Sequence, residues 1–202
     1  MKLKSILPPA FLALGLAAAG VVVGTRPTLT KTSMPGFTLY IVQTSYPSSG
    51  DPIQTATKIR RHKSDGSWKM ETIYSSGKRE IAYGEPGRGV FALDDKNQHL
   101  EYLSPSSSRG LADIDWTKQP GFAGEETILG YKTYRIHWES NGDYTDSYMC
   151  PALQGFPLRR VAGNVRTKTV WETTQVIPTE PDFESVPNIP VSTRRFEEKS
   201  KP

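Results

Sequence analysis

From Phe37 onward, short stretches of the chain alternate between apolar and polar positions and are rich in Thr, Tyr, Trp, Val and Ile. In one of them, Trp68 and Met70 would point to one side of an extended strand, and Lys69 between them would point to the other. An apolar–polar period of two residues is typical of a half-buried β-strand. The pattern therefore predicts strands, and not helices, for the body of the chain.

Turn signals separate these stretches at intervals of about ten residues. Each signal carries a Gly or Asn, the residues that best tolerate a positive φ angle. The signals fall at residues 64–66, 76–77, 84–89, 95–97, 130, 141–143, 154–155 and 163–164. Such spacing predicts consecutive antiparallel hairpins, and hence an all-β domain over residues 37–187: one curved antiparallel sheet, or incomplete β-barrel. A minor helix is expected at residues 111–116, after a polar, serine-rich loop.

The same alternation predicts which side chains line the inner face of the sheet. Their neighbours in sequence, such as Lys69 and Arg135, are charged. A register slip of one residue would therefore bury a charge without a partner, which is costly. We expect one common face, and candidate ligand-facing positions, for Trp68, Met70, Tyr74, Tyr134, Ile136, Trp138 and Trp171.

The first 24 residues have the layout of an export signal. Lys2 and Lys4 precede an uncharged stretch at residues 6–24, as in a secretory signal peptide or an uncleaved N-terminal membrane anchor. The regular helical part, residues 10–23, would span only about 21 Å of a bilayer core of about 30 Å. Ala17-Ala18-Ala19 offers a small-residue cleavage site, but inside the apolar run. Cleavage and anchoring both stay open, and both predict an exported, extracytoplasmic protein: periplasmic, secreted or membrane-tethered.

The ends of the chain differ from its middle in composition. Residues 25–36 are predicted to be a linker, and residues 188–202, with prolines and many charges, a disordered tail.

The distribution of charge argues against a nucleic-acid partner. The chain has 25 basic and 21 acidic residues, but Lys2 and Lys4 belong to the leader, so the body is close to neutral. The one dense basic run is Arg60-Arg61-His62-Lys63. We interpret it as the solvated rim of a strand or hairpin, and not as a phosphate-binding patch.

The sequence contains no nucleophile elbow, phosphate-binding loop or zinc-protease motif. A single cysteine, Cys150, excludes an intramolecular disulfide and a cysteine-based zinc site, and is expected to be a small packed residue. His62, His99 and His137 are far apart in sequence. Counting out from the turn at residues 141–142 pairs His137 with Asp146, about 13 Å along the strand from Cys150. We therefore predict no catalytic residues, no metal site and no cofactor.

Four short motifs resemble those of a known group of proteins. Residues 126–136 contain the hairpin pattern G-x-x-T-x-x-I, and residues 148–159 contain a turn with Ala152-Leu153 and Pro157-Leu158. The Asp-Gly turn at residues 65–68 and the proline-flanked segment at residues 181–187 also match. Over roughly residues 37–187 the chain thus resembles exported bacterial proteins of unknown function with a lipoprotein-carrier-like, half-barrel fold.

This resemblance implies a strongly curved, incomplete antiparallel barrel, whose concave face binds acyl chains or hydrophobic segments in the best-known members. The expected function is a non-catalytic exported binding or carrier module that holds a hydrophobic ligand or lipid on that face. The alternative is a membrane-anchored structural or sensing module that docks another envelope protein. An enclosed inner volume of roughly 300 Å³ would favour the first, and a filled interior with an exposed aromatic patch would favour the second.

Overall fold

The computed structural model describes residues 36–93, 100–104, 114–184, 186 and 191–192. The predicted leader, nearly all of the predicted linker and most of the predicted tail lie outside these residues, as does His99. Among the described residues, no helix is long and apolar enough to cross a membrane.

The first half of the described chain is a meander of six strands. Its strands are β1 (Phe37–Tyr46), β2 (Ile53–His62), β3 (Trp68–Tyr74), β4 (Arg79–Glu85), β5 (Gly89–Leu93) and β6 (Leu100–Ser104). Each strand is antiparallel to the one before it.

The second half is a meander of the same kind, followed by one very short strand. Its strands are β7 (Phe122–Ile128), β8 (Tyr131–Ser140), β9 (Asp143–Cys150), β10 (Phe156–Asn164), β11 (Lys168–Ile177) and β12 (Val191–Ser192). Single 3₁₀ turns lie at Trp116–Lys118, capped by the Asp115 side chain, and at Pro151–Leu153. Of the predicted minor helix at residues 111–116, positions 111–113 lie outside the described residues.

One sheet contains all of these strands, in the order β12-β6-β5-β4-β3-β2-β1-β11-β10-β9-β8-β7. The sheet is curved and, over the described residues, open, with β7 and β12 at its edges. The predicted all-β, curved antiparallel sheet is therefore confirmed. The pairing of β1 with β11 joins the two meanders and was not predicted from the sequence. The chain between β6 and β7 does not form a hairpin, since these strands lie towards opposite edges.

The hairpin turns use the backbone geometry that their sequences predict. Asn141 and Gly142 both have positive φ angles, of 54° and 81°. This geometry matches the right-handed twist of the flanking strands, and Asn-Gly adopts it at little steric cost. The turn fixes the register of β8 against β9, in which His137 lies opposite Asp146 as predicted.

Buried apolar side chains form two clusters. The larger lies around β1 and the β9–β10 turn, and consists of Phe37, Leu39, Ile41, Ile128, Cys150, Leu153 and Leu158. The smaller lies on β4–β6 and consists of Tyr83, Phe91, Leu100 and Val186.

The segment after β11 returns along one end of the sheet towards β6. Glu180 accepts a hydrogen bond from the backbone N–H of Ser64 at 3.0 Å, and Lys63 donates to the Phe183 carbonyl at 3.1 Å. Farther on, Val186 packs into the smaller cluster. Val191–Ser192 then pairs in parallel with β6, so the predicted tail includes one short paired segment.

Candidate ligand-binding face

The predicted ligand-facing side chains share one face of the sheet. Residues directly opposite one another on paired strands point to the same side. One such row runs from β3 to β7 through Tyr74, Ala56, Gln43, Trp171, Arg160, Ser147, Ile136 and Phe122. Alternation within β3 and β8 adds Trp68, Met70, Tyr134 and Trp138 to this face. The predicted common face is confirmed; that these residues contact a ligand stays a prediction.

This face, called the inner face below, is the one towards which the sheet curves. Arg60 on β2 lies with its guanidinium 4.4 Å from the ring of Phe156 on β10, although β1 and β11 lie between these strands. Strands that far apart are separated by about 14 Å in a flat sheet. The ring of Phe37 on β1 is also 6.5 Å from that of Phe156. Side chains of the inner face thus bury one another across the curve.

The apolar and aromatic residues of the inner face are not equally buried. Phe37 and Leu39 in the middle are fully buried, whereas Trp138 on β8 is 59% exposed and Phe122 on β7 is 36% exposed. Trp138 thus lies on the predicted face but is exposed to solvent. It lies near the open edge of the sheet, where there are few strands to cover it. Its neighbour Glu139 is exposed as well, so the predicted register holds.

Three partly buried cations also lie on the inner face. On β2, Lys58 and Arg60 lie opposite Ile41 and Leu39 of the buried cluster. On β10, Arg160 lies opposite Trp171. The interpretation of the basic run at residues 60–63 as a solvated rim is thus wrong for Arg60. The β2 strand turns this side chain inwards because its register with β1 is set by the buried apolar residues opposite.

The Arg60 guanidinium lies over two aromatic rings. It is 4.1 Å from the ring centre of Trp68 and 4.4 Å from that of Phe156. Its Nε atom is buried and has no hydrogen-bond partner among the described residues. Burial lowers the pKa of Arg60 to about 9. Because this value is still above neutral pH, the side chain keeps its positive charge there.

Arg160 repeats this arrangement with one ring. Its guanidinium lies 5.4 Å from the ring centre of Trp171, whose indole N–H donates to Gln43 at 2.8 Å. The Nε atom of Arg160 is buried and, within the described part of the chain, has no hydrogen-bond partner. Burial lowers the pKa of Arg160 as well.

Lys58 is the third of these inner-face cations. Burial is the main cause that lowers its pKa; the charge of Glu80 raises it and that of Arg160 lowers it further. Glu80, however, already accepts hydrogen bonds from the Tyr74 hydroxyl at 2.6 Å and from Lys78 at 2.9 Å. The inner face therefore carries more positive than negative charge around Lys58.

His62, the next inner-face residue on β2, is kept neutral. Its ring stacks on Phe37 at 5.1 Å. Burial, and then the nearby charge of Arg60, lower the pKa of His62 to about 4. At neutral pH, the positive charge of this region belongs to the arginines and Lys58.

On the outer face, by contrast, basic residues have carboxylate partners. Arg61 donates to Glu71 at 2.6 Å, and Arg159 donates to Glu172 at 2.7 Å. Further outer-face pairs are Arg79 with Glu71, Arg159 with Glu126, and Arg135 with Asp146.

Cys150 and the histidines form no reactive group. Cys150 is fully buried, as expected of a packed residue, and burial raises the pKa of its thiol. Among the described residues, no three His, Cys, Asp or Glu side chains are placed to hold a metal ion. An open depression of about 350 Å³ lies on the outer face of β8 and β9, and its lining includes His137 and Asp146.

The site thus belongs to an open, curved antiparallel sheet whose inner face combines aromatic side chains with buried cations. No protein-family model matches the chain, and no curated protein matches it.

Solved structures do match it. One is a LolA-superfamily protein from Nitrosomonas europaea, at 9% identity and a TM-score of 0.40, covering 76% of this chain and 91% of that one. Another is MucB in complex with MucA, at 15% identity and a TM-score of 0.46, covering 80% of this chain but only 57% of the matched one. A third is the lipoprotein LppX of Mycobacterium tuberculosis, at 10% identity and a TM-score of 0.34, covering 72% and 88%. At these identities and TM-scores the matches do not bear on ligand or function, which are inferred below from the residues of this chain.

Sequence reasoning found the aromatic part of the inner face and missed its cations. In β2, alternation alone would turn Ile59 inwards and leave Lys58 and Arg60 in solvent. One signal was available: Arg60-Arg61 and Arg159-Arg160 are adjacent pairs within strands. Neighbours in a strand point to opposite faces, so each pair must place one arginine on the inner face.

Proposed function

We propose that the chain is a non-catalytic extracytoplasmic binding module that holds a hydrophobic ligand or lipid on the inner face of its sheet. The observation that carries this proposal is the band of partly exposed apolar and aromatic side chains on that face. It extends from Trp68 and Met70, through Trp171, to Ile136 and Trp138. An apolar ligand laid along this band would remove it from water, which is favourable.

Two further observations support this proposal. The N-terminal residues have the composition of an export signal, which would deliver the module outside the cytoplasm. The sheet is open at both edges over the described residues. A long ligand could therefore reach the inner face from the side, and need not enter an enclosed cavity.

A second candidate function, docking of another envelope protein, is favoured by the β7–β8 edge. Trp138, at 59% exposure, and Phe122, at 36%, lie there on the inner face. Among the strands that the structure describes, β7 is paired with β8 alone. An unpaired strand edge beside exposed aromatic rings could accept an extended segment of a partner as an added strand.

Native mass spectrometry tests the two functions directly. The full chain, purified from its own cell envelope without detergent, should carry a co-purifying lipid, and the mass of the protein will show whether the leader is cleaved. A partner protein bound without lipid would support docking instead.

A matched pair of variants locates the site. Ile136→Asp places a charge in the apolar band of the inner face and should weaken binding of a fluorescent fatty acid by about tenfold or more. Ile73→Asp places the same charge at an exposed position of the outer face and should leave binding unchanged. Equal weakening by both variants, with both still folded by circular dichroism, would show that the inner face is not the binding surface.

A further inference from the structure

We propose that the inner face recognises the acidic group of an amphiphile, a carboxylate or a phosphate, through Arg60 and Arg160, with Lys58 adding charge between them. This inference rests on the proposed function and gives its ligand a chemical class: an acidic lipid, and not a neutral one. The apolar part of that ligand lies along Trp171 and Ile136.

The first argument is the unmet hydrogen-bonding capacity of the two arginines. A guanidinium carries five N–H donors and cannot accept. Arg60 and Arg160 each have a buried Nε–H without an acceptor among the described residues, and neither forms an ion pair there. Buried charges without partners are costly and are rarely kept unless a ligand or function requires them. An acidic group would supply the missing acceptor and the opposite charge together.

Second, carboxylates pair with the arginines of the outer face, whereas none pairs with Arg60 or Arg160 among the described residues. Arg61 and Arg159, the immediate neighbours of the two inner-face arginines, are each bound to a glutamate on the outer face. The nearest acidic influence on the inner face is Glu80, which acts on Lys58 and is already bonded to Tyr74. Among the described residues, Arg60 and Arg160 thus lack the carboxylate partner that Arg61 and Arg159 have.

The third argument is the orientation that the aromatic rings impose on Arg60. The Arg60 guanidinium lies over the rings of Trp68 and Phe156, at 4.1 and 4.4 Å from their centres. Contacts with two rings restrict the orientation of the guanidinium before a ligand arrives. A carboxylate or phosphate approaching its N–H edge can accept two parallel hydrogen bonds, the geometry in which arginine binds such groups most strongly.

The fourth argument is spacing. Lys58 and Arg60 are two residues apart on one strand, so their side chains leave the sheet about 7 Å from each other. The charge of Lys58 also interacts with that of Arg160 on β10. Arg160 lies opposite Trp171 on one side and Ser147 on the other, and Ile136 follows Ser147, so the cations lie among the apolar side chains of the inner face. An acidic head bound by the cations would therefore have apolar side chains on both sides to receive the long chain of an amphiphile.

The test compares ligands that differ only in the head group. Quenching of tryptophan fluorescence in the full chain should report binding of palmitate and of 1-palmitoyl lysophosphatidic acid about tenfold or more tighter than binding of 1-hexadecanol, whose head is uncharged. Sodium acetate and inorganic phosphate, the acidic groups without a chain, should bind far more weakly than the amphiphiles. Equal affinities of palmitate and hexadecanol would overturn the inference.

Matched variants assign the preference to the inner face. Arg60→Met and Arg160→Met should each remove most of the preference for palmitate while leaving the affinity for hexadecanol unchanged. Arg61→Met and Arg159→Met, one residue away on the outer face, should keep it. A loss of the preference in the outer-face variants, or its survival in both inner-face ones, would overturn the inference. Arg60→Lys, which keeps the charge but not the planar fork, guards against misfolding and should keep only part of the preference.

The outcomes separate the two proposals. If palmitate and hexadecanol bind equally and Ile136→Asp weakens both, the apolar binding function stands and the acidic head-group site is wrong. If neither amphiphile binds and no lipid co-purifies, the proposed function itself is wrong. If inorganic phosphate binds as tightly as the lysolipid, the cations serve a soluble anion and the assignment to an amphiphile is overturned.

Discussion

Two Arg-Arg pairs in this sheet are alike in sequence and opposite in environment. In Arg60-Arg61 and in Arg159-Arg160, one arginine points to the outer face and binds a glutamate there, Glu71 or Glu172 respectively. The other points to the inner face, lies against aromatic rings and has no carboxylate partner among the described residues. The residue type is the same throughout, so the difference comes from the face alone.

The comparison indicates that charged residues have different roles on the two faces. Outer-face pairs satisfy their own charges and complete a solvated surface. Inner-face cations are kept at a cost to stability, since burial disfavours their charged forms. Local conflicts of this kind, in a sheet that otherwise follows the expected patterns, are typical of functional sites.

Acid should destabilise the protein through the inner-face histidine. The pKa of His62 is about 4 in the folded chain and 6.5 in the unfolded one. The unfolded chain therefore binds the proton more readily, and the free energy of unfolding should fall as the pH falls from 6.5 towards 4, by up to about 3 kcal/mol. Urea unfolding at pH 7 and pH 4.5 measures this loss. His62→Phe should remove most of it, whereas His137→Gln, on the outer face, should leave it in place; the reverse result would contradict the assignment.

Removal of an outer-face acceptor should be the next largest effect. Glu71 binds Arg61 at 2.6 Å and Arg79 at 2.5 Å and is only 12% exposed. Glu71→Gln should lower the free energy of unfolding by about 2 kcal/mol, because two guanidinium groups lose their charged acceptor. Glu125→Gln, which breaks an exposed pair with Lys132, should change it by no more than about 0.5 kcal/mol. If chemical denaturation gives equal changes in the free energy of unfolding for the two variants, the ion pairs of Glu71 stabilise the fold no more than an exposed pair does.

Adjacent arginines should respond to the same substitution with opposite sign. Arg60→Met replaces an unpaired buried cation by an apolar side chain and should raise the free energy of unfolding by about 1 kcal/mol in the absence of ligand. Arg61→Met removes an ion pair and should lower it by about 0.5–1 kcal/mol. Urea unfolding of the delipidated proteins measures both. A loss of stability in both variants would mean that Arg60 is a structural residue and not one held for a ligand.

The rim of the inner face should be nearly neutral for folding. Trp138 is 59% exposed, so Trp138→Thr should change the free energy of unfolding by less than about 0.5 kcal/mol. The same variant should still weaken lipid binding if the apolar band extends to the edge. Thermal unfolding and the fluorescent fatty-acid assay measure the two effects separately. A large loss of stability would show that Trp138 is packed and not a contact surface.

The sequence predicted much of the fold because strands and turns have local signals. Alternation placed Trp68, Met70 and Tyr74 on one side of β3, and Asn141-Gly142 set the pairing of His137 with Asp146. The pairing of β1 with β11 could not be predicted, because no local pattern specifies which distant strand completes a sheet.

The site was predicted only in part for a related physical reason. The rule that polar residues face solvent failed at Arg60, where the registers with β1 and β3 decide the direction of the side chain. The sequence shows that Arg60 and Arg61 point to opposite faces. Which face lies on the concave side, and which of the two arginines is therefore buried, depends on the curvature of the whole sheet.

The junction of β1 with β11 also has a consequence for folding kinetics. Strand β1 pairs early with β2, but its other edge is completed only by β11, and the bond from Thr174 to the Tyr40 carbonyl joins residues 134 positions apart. Closing so long a loop is slow, since its entropy is lost before the contacts that compensate for it are made. Until β11 arrives, β1 has an unpaired edge beside the apolar residues Phe37, Leu39 and Ile41, a surface that favours aggregation. A chain that ends before residue 168 should therefore collect as an aggregating intermediate.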